Sequence, residues 1–261
     1  MFSEITAHGV KYMTSPNIDC PHAFTTRFGG VSGGVFEALN LGQSLGDDLV
    51  SVKSNYNILC DTIGISIDDI VKSSQVHGNN VRIVTKKDCG KLFSTDTPAA
   101  DGLITNEKNV ALIVYTADCV PILLHDPLRN VICAIHAGWR GTALNIVGEA
   151  VQKMANEFKC SLANIKAAIG PCISKCCYET SQDVPDALHK ILGKATDSCV
   201  VPRNGKYMVD LKEANNLMLK KAHVKDIAIS DECTSCLSDK YWSHRKSNIN
   251  RGSQASIIVN N

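Results

Sequence analysis

Cys119 and His136 are the residues whose types and spacing point most directly to chemistry. Two apolar runs, residues 120–125 and 131–136, enclose Asp126-Pro127-Leu128-Arg129-Asn130. Both runs are short, rich in Val and Ile, and bounded by turn formers, which predicts a β-hairpin with a five-residue loop. Cys119 lies seven residues before Asp126, and His136 lies six after Asn130. Antiparallel pairing therefore sets them nearly opposite each other, at the end of the ladder away from the turn. A thiol and an imidazole at a strand end fit a metal site or a nucleophile–base pair. A buried Cys beside a core His is the structural alternative.

Three further positions have chemical potential. His77 precedes Gly78-Asn79-Asn80, a turn signal that puts it at a strand end as well. Arg27 enters a loop with Gly29, Gly30, Gly33 and Gly34, where backbone can approach a ligand closely and a guanidinium can grip an anion. Arg140 lies in His136-Ala137-Gly138-Trp139-Arg140-Gly141, which turns into a helix predicted over residues 142–158. A helix start presents free N–H groups to anions. For His77 and Arg27 the residues alone favour an ordinary surface or structural role; for Arg140 the two readings balance.

The elements that must position these residues follow from periodicity. Asp47 and Asp48 precede a helix predicted over 49–63, with Leu49, Val52, Tyr56, Leu59, Cys60 and Ile63 on one face. Further helices are expected over 183–192 and 212–223. Strands are expected at 81–84, 103–105, 165–170, 206–210, 226–229, 241–245 and 255–259, with one or two more before residue 24. The alternation is mixed rather than strictly βαβα, so the expected class is α+β, with mixed β-sheets and peripheral helices.

Composition excludes several classes. The chain has 261 residues, 44% hydrophobic and 5% aromatic, enough for one large domain or two small ones around an aliphatic core. A formal net charge of +1 gives no electrostatic case for nucleic acid or an anionic membrane. No apolar run reaches the length of a membrane span. Residues 1–15 lack the pattern of a signal peptide, so a cytoplasmic location is expected. Twelve cysteines in such a chain read as reduced thiols. Cys133 reads as core. Cys233-Thr234-Ser235-Cys236 is a CxxC without an obvious second pair. Only Cys172 and Cys176, far upstream, could supply that pair; adjacent Cys176 and Cys177 do not easily face one ion, so packing plus a loop is the expectation there rather than a structural zinc.

Three stretches, in order, carry a resemblance: Gln75-Val76-His77-Gly78, Thr116-Ala117-Asp118-Cys119-Val120-Pro121 and His136-Ala137-Gly138-Trp139-Arg140-Gly141-Thr142. Thr25-Thr26-Arg27-Phe28-Gly29-Gly30-Val31-Ser32, Asn40-Leu41-Gly42, Ala100-Asp101-Gly102, Ile169-Gly170-Pro171-Cys172 and Cys177-Tyr178-Glu179 add to it. Together they resemble the YfiH-like family, also called the laccase-domain or multicopper polyphenol oxidoreductase family, from about residue 20 to the end. Where that family often has Thr-Gly-Arg near the C-terminus, this chain has Arg251-Gly252-Ser253-Gln254, so that arginine's role is either lost here or taken by Arg251.

The resemblance implies one domain over residues 1–261, with mixed sheets packed as a sandwich. It also implies a metal held by His77, Cys119 and His136, which adds His77 to the hairpin pair. Two imidazoles and a thiolate leave a fourth position open, the mark of a catalytic zinc site, with copper as the other candidate metal. Members of the family are described as purine nucleoside phosphorylases that also deaminate adenosine and cleave methylthioadenosine. Purine nucleosides and phosphate are then the expected partners, of a monomer or homodimer. Asp118 is the candidate general acid, and Arg27, Asn40, Gln75 and Arg140 are candidate substrate- or phosphate-binding residues. Two alternatives stand beside this reading. One is copper-dependent polyphenol oxidation, disfavoured by eight histidines in all and no HxH pair. The other is a metal-free cysteine hydrolase or amidase acting on cell-wall precursors, with Cys119 as nucleophile and His136 as base.

Overall fold

The computed structural model describes residues 1–260. In chain order the first strands are β1 (Ser3–Ala7), β2 (Val10–Thr14), β3 (His22–Thr25), β4 (Ile70–Val71) and β5 (Val81–Ile83). Next come β6 (Gly102–Thr105), β7 (Val110–Thr116), β8 (Val120–Asp126), β9 (Val131–Ala137) and β10 (Lys166–Ile169). The chain ends with β11 (Glu179–Thr180), β12 (Val200–Arg203), β13 (Lys206–Val209), β14 (Asp226–Ile229) and β15 (Gln254–Asn260). The helices are α1 (Leu49–Ile63), α2 (Trp139–Ala143), α3 (Ile146–Phe158), α4 (Asp183–Leu192), α5 (Leu211–Lys221) and α6 (His244–Ser247).

Two six-stranded sheets form the body, one in the order β1-β2-β3-β15-β7-β4, the other β14-β10-β8-β9-β6-β5. Both are mixed: β4–β7, β5–β6 and β10–β14 run parallel, the rest antiparallel. A three-stranded sheet, β11-β13-β12, lies apart. Strands β8 and β9 are buried along their whole length, which requires cover on both faces and explains their unbroken apolar sequence. The pleat divides their residues between two layers. Val131, Cys133, Ile135 and Ala137 pack towards Val147, Val151 and Met154 of α3 and Ala214 and Met218 of α5. Ile132 and Ala134 instead join Leu112, Val114 and Ile258 of the opposite sheet. Helix α1 covers the outer face of that other sheet through Val52, Tyr56 and Leu59. The architecture is thus a β-sandwich with helices outside, as expected.

Local signals place most elements where the sequence predicts them. Asp48 caps α1 by accepting from the N–H groups of Val50 and Ser51, and Gly64 ends it at φ 73°. Two expectations fail. The single helix over 142–158 is broken into α2 and α3, because Asn145 adopts the left-handed φ of 59°. The strand expected at 241–245 does not form. Tyr241 and Trp242 are buried there for other reasons: Tyr241 joins the core between the sheets, and the Trp242 ring carries the Arg27 guanidinium at 4.0 Å while its indole N–H donates to the Leu39 carbonyl. The segment then enters the short helix α6, capped by Ser243.

Candidate active site

The hairpin register pairs Pro121 with His136 and Val120 with Ala137, so Cys119, one step before β8, meets the end of β9. His136 shares the parity of Ile132 and Ala134, so it faces the layer between the sheets. It is 2% exposed. His77 comes from the loop after β4, on the other sheet. Its ring stands edge-on to that of His136 at 4.7 Å, and its Nε2 lies 3.9 Å from Cys119 Sγ. One donor atom each from His77, Cys119 and His136 lies within 4.8 Å of the other two.

Asp101 assembles this trio, and sequence reasoning assigned it no role. Because β6 pairs with β9 through Gly102 and Ile135, Asp101 falls beside His136. Its Oδ1 accepts from His136 Nδ1 at 2.8 Å and from the His77 N–H at 2.9 Å. Its Oδ2 accepts from the N–H groups of Val76 and Gly78. The carboxylate therefore pins the His77 loop and fixes the His136 tautomer with Nδ1 protonated, leaving Nε2 as the ligating nitrogen. Burial raises the Asp101 pKa, but the His136 hydrogen bond and the backbone donors outweigh it and hold the group below the usual carboxylate value. Burial likewise opposes ionisation of Cys119, yet His136 and His77 bring the thiol down to about 6. In the reverse direction Cys119 and Asp101 overcome the burial of His136 and lift it to about 9.

The glycines of the hairpin end are there for space. A Cβ on Gly138 would meet His77 Cδ2 at 2.8 Å and Cys119 Sγ at 3.3 Å. One on Gly141 would meet the Gly78 carbonyl oxygen at 2.7 Å. With glycine at both places, α2 packs directly over the two ligands.

Two of the three, His77 and Cys119, line a pocket of about 380 Å³, with His136 buried behind them. The pocket lining joins His77, Asp118 and Cys119 to the apolar side chains of Trp139, Ile173 and Tyr178 and to Arg140, Arg245 and Arg251. Arg140 stacks on Trp139 at 4.2 Å. Arg245 stacks on Tyr178 at 5.4 Å while its fork donates to the Cys177 and Glu179 carbonyls. Arg251 donates through Nη1 to the Gly252 carbonyl and Ser253 Oγ, while its Nε is buried without a hydrogen-bond partner. Burial pushes the Tyr178 phenol up to about 12, so it is a neutral donor at pH 7.

The structure redistributes the candidates. Arg140 lines the pocket, although from within a five-residue helix rather than from the turn before a long one. Asp118 lines it too, with φ 93°. Its carboxylate accepts from Thr234 Oγ1, Ser243 Oγ and the Arg245 N–H, the surroundings of a brace. Arg27, Asn40 and Gln75 are not among the pocket residues. Arg27 donates to the Ser238 and Glu37 carbonyls and lies over Trp242. Asn40 is fully buried and ties Gly42, Asp47 and Ser253 together. Gln75 exchanges both amide hydrogen bonds with the Tyr115 backbone and faces a neighbouring cavity that shares Arg251. Arg251, Arg245 and Tyr178 are pocket residues to which the residue types and spacing gave no role. The cysteine cluster is corrected as well: Cys176, Cys177, Cys233 and Cys236 converge, while Cys172 is buried outside the group.

Known proteins share this arrangement of chain and fold. The model of the family described as multi-copper polyphenol oxidoreductase laccase matches residues 21–261. A protein named purine nucleoside phosphorylase YlmD, from Geobacillus stearothermophilus, is 38% identical over 242 residues, covering 90% of this chain and 88% of its own. A protein of an unknown prokaryotic organism, named adenosine deaminase RL5, is 31% identical, covering 90% of this chain and 92% of its own. The crystal structure of YlmD from Geobacillus stearothermophilus superposes with a TM-score of 0.94 at 35% identity, covering 99% of this chain and 98% of that one. The matching fold and the match along nearly the whole chain place this protein in the YfiH-like, multi-copper polyphenol oxidoreductase laccase family of enzymes.

Proposed function

We propose that this protein is a zinc-dependent purine nucleoside phosphorylase that cleaves adenosine, inosine, guanosine and methylthioadenosine with phosphate, and that also deaminates adenosine. The observation that carries this reading is the His77/Cys119/His136 trio beside a pocket that His77 and Cys119 line together with three arginines. Two imidazole nitrogens and a thiol sulfur within 4.8 Å of one another suit zinc, and the Asp101 bond to His136 is the outer support such ligands need. When bound, zinc supplies Lewis acidity to an oxygen nucleophile. The chain's own groups do the rest. The pocket volume suits a nucleoside. Trp139 and Tyr178 offer faces for the purine, and Arg140 and Arg251 offer donors for phosphate. In phosphorolysis a phosphate oxygen bonds to the anomeric carbon as its bond to the base nitrogen breaks, and the base takes up a proton. The arginines hold the phosphate in line and the apolar walls limit competing water.

The names of the relatives support phosphorolysis and deamination. Polyphenol oxidation needs several coppers with many histidine ligands, whereas the histidine-containing cluster among the described residues has two histidines and one cysteine. The alignment Cys119–His136–Asp101 also favours a second reading, a metal-free cysteine hydrolase in which His136 takes the thiol proton. Metal content separates the two: the hydrolase reading needs no metal at Cys119, and zinc that disappears in Cys119→Ala counts against it. The test of the main reading incubates zinc-loaded protein with adenosine or inosine, with and without phosphate. Phosphate-dependent release of free base is expected. No product from either nucleoside, in protein shown to hold zinc at the trio, overturns it.

A further inference from the structure

We propose that Cys176, Cys177, Cys233 and Cys236 form a second metal site, a closed tetrathiolate centre for a single zinc ion that braces one wall of the pocket. The two halves of the cluster lie far apart in sequence and are joined by topology. Strands β10 and β14 run parallel, with Ile169 beside Ile229, so the loops leaving their C-terminal ends emerge together. A bridge between Cys172 and Cys233 continues the pairing, and the Thr234 N–H donates to the Cys172 carbonyl. The first loop turns tightly, with the Cys177 and Tyr178 N–H groups both donating to the Ser174 carbonyl. That turn lets adjacent cysteines converge: Cys176 and Cys177 Sγ are 3.8 Å apart.

The distances fit one ion. Cys236 Sγ lies 3.5 Å from Cys176 Sγ and 3.3 Å from Cys177 Sγ, and all four sulfurs are within 4.8 Å of one another. Four sulfurs about 2.3 Å from a tetrahedral zinc stand about 3.8 Å from each other. A disulfide needs about 2.05 Å. Cys233 Sγ accepts the Ser174 N–H at 3.3 Å, a bond that favours the thiolate. Metal binding releases the thiol protons, and with four protein ligands no position is left for substrate, so the centre is structural.

Its role follows from what it holds. Thr234, inside the CxxC, donates to Asp118 Oδ1, and the Ile173 N–H donates to the Asp118 carbonyl. Tyr178 and Ile173 form the wall of the pocket. Locking both loops therefore fixes Asp118 and, through it, Cys119.

The test counts metals in the full chain by elemental analysis after purification. Two equivalents of zinc are expected in the wild type, one in Cys119→Ala, and one in Cys176→Ser/Cys236→Ser. Because the ion kept by Cys119→Ala belongs to this cluster, the result stands apart from the fate of the nucleoside reading. A second arm needs no variant. Cys176 and Cys236 are exposed, yet in the native protein they should resist iodoacetamide until a chelator is added, as read by peptide mass spectrometry. Their alkylation at the same rate before and after chelator overturns the proposal, as does a wild-type zinc content that Cys176→Ser/Cys236→Ser leaves unchanged.

Discussion

Replacing Asp101 by Asn keeps the size of the side chain and changes only its hydrogen-bond character. The carboxylate accepts four bonds, from His136 Nδ1 and the N–H groups of Val76, His77 and Gly78. Asparagine has one acceptor oxygen and one donor nitrogen, and neither orientation works. With its oxygen towards His77 and His136, its NH₂ confronts the N–H groups of Val76 and Gly78. With the amide flipped, its NH₂ confronts the His77 N–H and forces His136 to accept at Nδ1, which moves the ring proton to the ligating Nε2. The first orientation leaves two partly buried donors unpaired at about 1 kcal/mol or more each. At about 2–4 °C per kcal/mol for a chain of this size, Asp101→Asn should lower the melting temperature of the metal-free protein by roughly 5 °C. Loss of the support for His136 should weaken zinc binding by about 10–100-fold, or about 1.4–2.7 kcal/mol. Competition with a chromophoric chelator measures the affinity, and calorimetry of the stripped protein measures the stability. Asp101→Asn with wild-type zinc affinity and an unchanged melting temperature refutes the role given to this carboxylate.

Other perturbations separate neighbouring claims. Gly138→Ala drives a methyl against His77 and Cys119; overpacking of about 1–3 kcal/mol predicts roughly five- to hundredfold weaker zinc binding in an otherwise folded protein, read by the same competition assay. Arg251→Ala should raise the phosphate KM about ten- to hundredfold, the range expected for hydrogen bonds from a charged donor, whereas Arg27→Ala should leave that KM unchanged and lower the melting temperature. His22 is buried and neutral: its Nδ1–H donates to the Cys20 carbonyl and its Nε2 accepts the Ser15 N–H at 2.7 Å. Burial depresses its pKa although the Cys20 bond opposes this, so the unfolded chain binds more protons than the folded one below about pH 6.5. Stability should therefore fall as the pH drops from about 6.5 towards the folded pKa, and His22→Gln should flatten that slope in denaturant titrations.

The legible parts of the sequence are those whose signals are local. Helix α1 follows from an apolar face and an Asp cap, α4 and β14 start and stop where periodicity puts them, and counting along the hairpin brought Cys119 to His136. His77 is different. The turn beside it was readable, but it lies in the loop between β4 and β5 rather than at a strand end, and its partnership, which depends on two sheets meeting, came only from the family resemblance. Asp101 looked like punctuation before Gly102, because its partners lie about 25 and 35 residues away and an acid before a glycine is an ordinary turn signal. The cysteine tetrad was hidden by the same distance: its two halves meet only because β10 and β14 are parallel neighbours. Tyr241 and Trp242 misled in the opposite sense: Trp242 is buried by packing on Arg27 and Leu39 and Tyr241 by the core between the sheets, not by a strand.

Backbone strain ties these non-local contacts to the chemistry. His77 and the residue before Cys119, Asp118, both have positive φ, 59° and 93°, in the region that costs a non-glycine residue roughly 1–2 kcal/mol. Neither is stabilised by its own neighbours. Asp101 holds the first through the N–H groups on either side of His77 and its own. Thr234, Ser243 and Arg245 hold the second through its carboxylate. The strained conformations turn two ligand side chains off the ends of different strands and towards His136, a convergence that regular strand geometry does not give. The loops that supply this restraint are the loop before β6, the CxxC loop and α6. A loosened CxxC loop should therefore act on Cys119 through Asp118, without touching the ligand trio itself.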